Sequence, residues 1–480
     1  MALMLGYILL AAAVLLLAVL LIRTVRFRPA PLPELPEVNV ETDREKIVRD
    51  MQDMIRCKTV SYRDPEQMDM KEFEKFQDLL QKRFPLIHQR STLHKIGLTG
   101  LLYHLPGKSS EKSGVCMAHY DVVPADESLW SKPAFDGILE NDTIWGRGAL
   151  DTKATLCGVM EALEALLAKG YDPSYDLYLS FSGEEEVDGT SCPQIVDWLC
   201  QQNITPDWVV DEGGAVVDHV FPGYDGQCAL IGIAEKGGFN VAFSMHSNGG
   251  HASTPPAKQL LGHLSRALLR VESKPFPFQL TKPVLEMFDT VGRHSNFVFR
   301  MIFANLWLFK PVLNLIGKLS GGELNAMMRT TVALTCFQGS KAYNVLPPEA
   351  HFTANLRLLG EDNMETALKR LQKTVKNEQI TIKSLGGMNP SPCSDTNCEG
   401  WNMLSTAIRQ TWPEAVVSPY LMMACSDSRH YNRITDKVYR FSAMRLSKAE
   451  RAMIHGNDER IPVETLLTTV KFYTRLLKQW

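Results

Sequence analysis

The sequence predicts an α/β protein whose mixed, mostly parallel β-sheet has helices on both faces, with an inserted α+β unit and an N-terminal transmembrane helix. Short apolar strands such as 114–118 and 177–181 alternate with helices such as 155–167, which is typical of α/β layers. Residues 236–387 instead follow the order β-α-β-β-α-β, the ferredoxin-like arrangement. Residues 2–22 carry no charge and are long enough for a helix of about 31 Å, the thickness of a hydrocarbon core.

Length and composition narrow the class of protein. A chain of 480 residues fits two or three packed units, and 45% hydrophobic with 22% charged residues excludes wholesale disorder. The net charge of -3 lacks the basic excess of nucleic-acid-binding proteins, so no nucleic acid is expected as a partner. Ten scattered cysteines without a CxxC pair exclude a cysteine-based zinc ribbon and a disulfide scaffold.

The N-terminus is expected to be a single-pass membrane anchor over residues 1–28. Its basic residues, Arg23, Arg26 and Arg28, follow the apolar segment, whereas a cleavable signal peptide begins with basic residues. A proline-rich linker, residues 29–44, then leads to the body of the chain. The three arginines favour a cytoplasmic body by the positive-inside rule.

The body is expected to consist of an α/β domain in two parts, residues 45–235 and 388–480, with residues 236–387 inserted between them. The insertion contains an apolar stretch, residues 297–319. Basic residues and a proline interrupt that stretch, so it is not expected to be a second membrane span.

Carboxylates and histidines occur at five places, most of them just after predicted strands. His119 and Asp121 point the same way in an extended segment, and Asp151 lies between a glycine-rich turn and a helix. Three adjacent glutamates at 184–186 repel one another, and a cation offsets that repulsion. Each place alone has a structural explanation, such as a helix N-cap for Asp151 or a solvated acidic turn for the glutamates.

Taken together, the five places predict a site for two divalent cations such as zinc, because zinc binds imidazoles and carboxylates as ligands. The candidate ligands are His119, Asp151, Glu186, Asp211 or Glu212, and His455. Asp151 is the candidate bridge, since each of its two oxygens can bind one ion. Two such ions activate a water molecule for hydrolysis, and Glu185, adjacent to a ligand, is the candidate general base.

Eight motifs occur in the order HYDVVPA, GRGALDTK, EEEVDGT, VVDEGG, GGHAS, YNVLPP, SDSR and IHGNDE. From about residue 45 onward the chain therefore resembles the M20 family of co-catalytic zinc metallohydrolases, and within it the carboxypeptidase-S-like enzymes and the N-fatty-acyl-amino-acid synthase/hydrolases. The resemblance implies a zinc-exopeptidase-like catalytic domain, with residues 236–387 as its lid. It also implies two Zn2+ ions per subunit, with Co2+ or Mn2+ as alternatives, and either a monomer or a homodimer.

The implied activity is cleavage, and in reverse formation, of the amide of an N-acyl amino acid or of a short peptide with a free C-terminal carboxylate. A dipeptidase or aminopeptidase of the same family is the alternative. A non-catalytic membrane-tethered binding protein is less favoured, because Glu185 and the candidate ligands are retained. The stretch 297–319 then forms a groove for a fatty acyl chain, or packs in an enlarged lid or on the membrane. Family analogy places the body on the extracellular or lumenal side.

Further roles follow from the resemblance alone. Asp121 corresponds to the residue that orients the histidine ligand, and His251 to the one that stabilises the tetrahedral oxyanion. Asn344 and Arg429 correspond to groups that hold the substrate's carbonyl and its free carboxylate, for which a planar guanidinium is suited. Arg357 is expected to support a lid strand.

Overall fold

The structure, a computed structural model, describes residues 1–219 and 221–480. Its strands are β1 Thr92–Ile96, β2 Gly100–Leu105, β3 Ser109–His119, β4 Ile138–Glu140, β5 Thr143–Trp145, β6 Tyr175–Ser182, β7 Trp208–Asp218, β8 Gln227–Glu235, β9 Gly237–His246, β10 Gly250–His251, β11 Thr331–Gln338, β12 Val345–Leu346, β13 Glu349–Leu358, β14 Thr381–Gly387, β15 Val416–Met422, β16 Val438–Arg445 and β17 Arg460–Pro462. Its helices are α1 Ala2–Arg26, α2 Arg44–Ile55, α3 Met70–Arg83, α4 Pro85–Arg90, α5 Lys153–Ala168, α6 Ser191–Gln201, α7 Leu260–Ser273, α8 Lys282–His294, α9 Phe297–Ala304, α10 Leu306–Ser320, α11 Gly322–Met327, α12 Met364–Val375, α13 Glu399–Thr411, α14 Lys448–Arg451 and α15 Val463–Leu477.

The largest sheet has eight strands in the order β1-β2-β6-β3-β7-β16-β8-β15. The pairs β6–β3, β3–β7, β7–β16 and β8–β15 are parallel. The pairs β1–β2, β2–β6 and β16–β8 are antiparallel. A further antiparallel pair joins β7 and β8. The predicted mixed sheet is therefore confirmed, with parallel pairing from β6 to β16 and between β8 and β15.

Alternating side chains of the strands put helices on both faces of this sheet. On one face, Leu101 and Cys116 belong to the core that α5 and α15 cover. On the other face, Leu102 and Val115 pack with Ile195 of α6. Successive residues of one strand thus enter different cores, as expected for a sheet covered on both sides.

The inserted segment forms a separate antiparallel sheet in the order β11-β13-β9-β14. Its chain order is β9, α7, β11, β13, α12 and β14, which is the β-α-β-β-α-β order that the sequence predicts. The strands and α7 and α12 share a core of their own, in which Phe243 and Phe352 stack with ring centroids 4.3 Å apart. We call this sheet with α7 and α12 the inserted unit.

Helices α8 to α10 lie within the same chain range but pack elsewhere. Phe288 of α8 and Phe303 of α9 belong to the main core together with Phe221, and α8 packs along β15. The apolar stretch 297–319 therefore packs in the core of the large sheet and not in the core of the inserted unit. A strand pattern locates the inserted sheet, whereas the partner of an apolar helix is decided only by folding.

Helix α1 is long and apolar enough to cross a membrane, which fits an anchor and equally a signal sequence. The segment after it lies on the body of the protein: Arg409 and Gln410 of α13 donate hydrogen bonds to the carbonyls of Pro33 and Pro36. Arg475 of α15 donates to Val38 in the same way. The linker, in which residues 27–43 form no helix or strand, is thus attached to the large domain.

Candidate active site

The candidate residues meet at one edge of the eight-stranded sheet. His119 is the last residue of β3, Glu185 and Glu186 follow β6, and Asp211 and Glu212 lie in β7. The strands β6, β3 and β7 are parallel neighbours. The carboxyl ends of β3 and β6, and the point where β7 passes beyond its pairing with β3, therefore bring these distant residues to one place, where open α/β sheets hold their sites.

Asp151 lies between the two histidines. One of its carboxylate oxygens is 3.0 Å from His119 Nε2 and the other is 3.0 Å from His455 Nε2. His119 Nε2 also lies 3.3 Å from Glu212 Oε1, and His455 Nε2 lies 2.9 Å from Glu186 Oε2. Each imidazole nitrogen therefore faces two carboxylates, and Asp151 is common to both groups.

A buried glutamate, Glu459, holds the loop that carries Asp151. Its carboxylate accepts hydrogen bonds from the backbone N–H groups of Gly148, Leu150 and Asp151, and it pairs with Arg147 at 2.9 Å. Glu459 was not among the candidates. Its one sequence signal is its position at the end of the motif that contains the C-terminal histidine.

Asp121 connects a histidine to the glutamate turn. Its oxygens accept the backbone N–H of Glu185 at 3.2 Å and that of Glu186 at 3.1 Å, and its Oδ1 lies 3.3 Å from His119 Nδ1. One fully buried carboxylate thus orients both the imidazole and the turn that carries the two glutamates.

The adjacent acids of β7 have different partners, because successive residues of a strand project to opposite sides. Glu212 faces His119, whereas Asp211 is buried and accepts the backbone N–H of Ser428 at 3.1 Å. Within the described part of the chain, Asp211 forms no ion pair within 4.0 Å of either histidine of the cluster. Of the two alternatives, Glu212 is the one that contacts a candidate ligand.

Glu185 lies in the same cluster and its carboxylate is not engaged. One ligand atom each from His119, Glu185 and Glu212 lie within 4.8 Å of one another. Among residues 1–219 and 221–480, nothing donates a hydrogen bond to the Glu185 carboxylate. Burial raises the pKa of Glu185 well above its usual value; the charge of His119 opposes this rise, and the nearby carboxylates add to it. A carboxyl group with a raised pKa suits proton transfer near neutral pH.

The charges of the cluster fit divalent cations. Burial raises the pKa of Glu212 to about 8 and also raises the pKa of Glu186. Hydrogen bonds to Asp151 and Glu186 raise the pKa of His455 to about 10. Several buried carboxylates thus converge on two imidazoles, and together these groups hold protons. Cations bound there would replace these protons. Imidazole and carboxylate are also the ligand types of dinuclear zinc sites.

His251 and Asn344 lie in the loops beside the inserted sheet. His251 is exposed in β10, and its Nδ1 is 2.7 Å from Ser253 Oγ. The N–H of Ala252 donates to the carbonyl of Asn344 at 3.0 Å, so the two candidate residues are neighbours. For the residues that the structure describes, no hydrogen bond joins either of them to the carboxylate cluster.

Arg429 lies beside the glutamate turn, where its guanidinium donates to Asp188 at 2.8 Å. It follows Ser428, the residue that binds Asp211, in a short 3-10 helix. Arg357 of β13 is exposed, and its Nη1 lies 3.7 Å from Cys425 Sγ. This contact is with the large domain, and the expected support of a lid strand by Arg357 stays a prediction.

Comparison with known proteins places the chain in a family. The model of Peptidase family M20/M25/M40 matches residues 115–479. The chain belongs to this family. It is 34% identical over 480 residues to N-fatty-acyl-amino acid synthase/hydrolase PM20D1 of Xenopus tropicalis, covering 98% of this chain and 93% of that protein. It is 32% identical over 429 residues to Probable carboxypeptidase S-like 2 of Dictyostelium discoideum, covering 88% and 82%.

A solved structure, the M20 family metallo-carboxypeptidase Sso-CP2 from Sulfolobus solfataricus, matches with a TM-score of 0.67 at 17% identity, over 90% of this chain and 98% of that one. This match shows the shared fold. The protein is therefore an M20 metallohydrolase, as the motifs predict. M20 peptidases are dinuclear metal enzymes, which agrees with the two histidine-carboxylate groups. The roles of individual residues stay predictions.

Proposed function

We propose that this M20 metallohydrolase cleaves the amide bond of N-acyl amino acids, or of short peptides with a free C-terminal carboxylate. The observation that carries the proposal is the shared position of Asp151, whose two oxygens face His119 and His455 at 3.0 Å each. A carboxylate between two imidazoles supplies one oxygen to each of two ions. His119 and Glu212 would hold one Zn2+, and His455 and Glu186 the other, with Asp151 shared by both.

Zinc pairs in hydrolases lower the pKa of a water molecule and polarise the scissile carbonyl. Glu185 is the group of this chain that accepts the proton of that water and passes it to the leaving amine. Its carboxylate is suited to this because it is buried among like charges and engaged by no donor in the described residues. Asp121 keeps Glu185 in place through its backbone N–H.

The free carboxylate of the substrate is proposed to bind Arg429. Its side chain is 14% exposed, and Asp188 shares its charge from the solvent side, with an exposure of 54%. Asn344 and His251, which sit together beside the inserted sheet, are proposed to contact the substrate carbonyl when that unit closes. Closure is required because the two residues make no hydrogen bond to the cluster in the described structure.

A dipeptide presents the same carboxylate to Arg429 as an N-acyl amino acid does, so dipeptidase activity is a second candidate. The two differ at the other end, where a dipeptidase binds a free amino group and an amidohydrolase binds an acyl chain. A panel of N-acetyl, N-oleoyl and unblocked dipeptide substrates that share one C-terminal residue separates them. We expect the N-acyl substrates to have the higher kcat/KM.

We further propose that α1 anchors the chain in a membrane. Its candidate span, Leu3–Arg26, is 24 residues long, and nearly all of these residues are exposed. Asn141 is exposed and begins the glycosylation sequence Asn-Asp-Thr. A glycan at Asn141 in full-length protein from eukaryotic cells places the body in the lumen or outside the cell. In cells whose plasma membrane alone is permeabilised, an added protease reaches the cytosol but not the lumen. Digestion of the body under these conditions places it in the cytosol.

The deciding experiment replaces Glu185 with Gln in the full-length protein. We expect metal content to stay at the wild-type level and kcat to fall by roughly 10²- to 10⁴-fold, the contribution of a general base. The matched control is Glu140→Gln, which changes an exposed carboxylate in β4. Wild-type turnover of Glu185→Gln would refute the assignment, and loss of the metals would assign Glu185 as a ligand.

A further inference from the structure

Helix α10 exposes an apolar stripe although its other side is already packed. Leu313 and Gly317 are its buried contacts with the body. Besides Trp307 in the first turn, the exposed large apolar side chains of α10 are Leu308, Val312, Leu315, Ile316 and Leu319, and these five form the stripe. Their spacing of mostly three and four residues puts them on one arc of the helix. Contiguous apolar surface of this kind marks an interaction site.

The C-terminal end of α9, and Asn305 between α9 and α10, are attached to the C-terminal end of α1. The guanidinium of Arg23 donates to the carbonyl of Ala304 at 3.1 and 2.9 Å. Asn305 donates to the carbonyl of Leu20 at 3.4 Å, and Leu20 itself is buried there. Arg23 is the first charged residue after the apolar run, so it marks the level at which the hydrocarbon core ends. The junction of α9 and α10 therefore lies at the membrane boundary.

Neither α9 nor α10 crosses a bilayer. The two helices bend by 110° at Asn305, and their 8 and 15 residues correspond to about 12 and 22 Å, less than the hydrocarbon thickness of about 30 Å. The charged residues between 297 and 320 are Arg300, Lys310 and Lys318, all of them basic. Exposed lysines at this level attract anionic headgroups.

We propose that α9 and α10 form a monotopic membrane-binding element, in which the stripe of α10 lies among the lipid acyl chains of the leaflet where α1 ends. Lys310 and Lys318 then lie at the headgroups. This inference rests on the proposed anchoring by α1. The membrane-binding element does more than tether the chain, because it holds the body of the protein against the bilayer at a second contact.

The element has a consequence for hydrophobic ligands. An apolar cavity of about 490 Å³ lies behind it, between α8, α9, α10 and the strands β8 and β15. Ile316 belongs both to the exposed stripe and to the lining of this cavity. Phe299 and Phe303 of α9 line it as well. The cavity therefore adjoins the proposed lipid-facing surface, and its apolar lining suits a hydrocarbon chain.

The test places the photoreactive residue p-benzoylphenylalanine at single positions of the full-length protein in liposomes of phosphatidylcholine and phosphatidylserine. Position Leu315 reports the stripe and Leu15, in the middle of α1, reports the anchor. The matched control is Leu129, an exposed leucine of the large domain with an accessibility of 62% against 57% for Leu315. After irradiation, lipid adducts are counted by mass spectrometry. We expect adducts at Leu15 and Leu315, with at least fivefold fewer at Leu129 as our threshold for contact.

The outcomes are distinguishable. Adducts at Leu15 with no excess at Leu315 over Leu129 overturn the membrane-binding element while the anchor stands. Protein–protein adducts at Leu315 in place of lipid adducts also overturn it and identify a second copy as the occupant. Absence of adducts at Leu15 overturns the anchor and this inference together. Unchanged turnover of an N-acetyl amino acid shows that each variant is folded.

Discussion

The carboxylate of Glu459 accepts the backbone N–H of Asp151 at 3.1 Å and so fixes the residue that faces both histidines. The two residues are more than 300 positions apart in the sequence, so only the tertiary structure brings them into contact. The bond matters because Glu459 is completely buried and has one cationic partner, Arg147. The position of the shared carboxylate thus depends on a group that is not itself a candidate metal ligand.

We predict that Glu459→Gln weakens metal binding while the fold is kept. An amide is isosteric but places an N–H where the native carboxylate accepts a backbone N–H, so the Asp151 loop has to shift. Replacement of groups that support metal ligands costs about 10- to 100-fold in metal affinity. Competitive chelator titration measures this, with Glu464→Gln on the exposed side of α15 as control. Equal affinity in both variants would contradict the role of Glu459.

Asp151→Asn is expected to reduce bound metal to about one ion or fewer per chain, because a shared carboxylate serves both sites. Metal added to the purified protein binds the folded state, so it should stabilise the wild type by about 2.7 kcal/mol at a hundred times its dissociation constant. The variant should lose most of this increase. Elemental analysis and thermal unfolding with and without chelator test both points. Asp225→Asn, at a carboxylate 97% exposed, should behave as wild type.

Arg429→Ala should raise KM about 10- to 100-fold for substrates with a free carboxylate, the usual effect of losing a hydrogen bond to a charged group. The same substrates with an amidated C-terminus lack that charge, so wild type and variant should differ little on them. Arg433→Ala is the control, since Arg433 lies in the same 3-10 helix but pairs with Asp197. A similar loss on both substrate classes would indicate a structural role.

Lys236 at the start of the inserted unit gives a prediction on pH. Its ammonium donates to the carbonyls of Ala326 and Arg329, and burial lowers its pKa to about 7. In the unfolded chain the pKa of a lysine is about 10.4. Between about pH 7 and pH 10.4 the unfolded chain therefore binds more protons than the folded protein, so the free energy of unfolding rises with pH. Lys236→Met removes this contribution.

The free energy of unfolding of Lys236→Met should therefore rise less than that of wild type between about pH 7 and pH 10. Denaturant titrations of both proteins across this window measure the difference, and the exposed Lys258→Met serves as control. Parallel pH profiles for wild type and Lys236→Met would show that the lysine keeps an ordinary pKa in the folded protein.

Much of the fold could be predicted from local patterns. Short apolar segments identified the strands that end at His119 and before Glu185, and parallel pairing then placed their ends together. The order of elements also predicted the inserted sheet. The packing of α8 to α10 on the large domain was missed, because an apolar helix face states that it is buried but not against which partner.

The candidate site was predictable to the level of residue types. Which of Asp211 and Glu212 faces His119 depends on a register shift in β7, where Arg440 of β16 pairs with Asp211 and Phe441 with Gly214. An irregularity of this kind redirects side chains at the end of a strand. For this reason, the sequence alone does not tell which of the two acids faces His119.

By itself the sequence determined the family, the set of histidines and carboxylates, and the apolar N-terminal helix. These depend on residue identity and on periods of two or of three to four positions, which are local properties. The tertiary structure alone decided that Glu212 contacts His119, that Glu459 supports Asp151 and that α9 lies beside the end of α1. Each of these depends on contacts between residues that are far apart in the chain, and such contacts form only when the separate elements share one core.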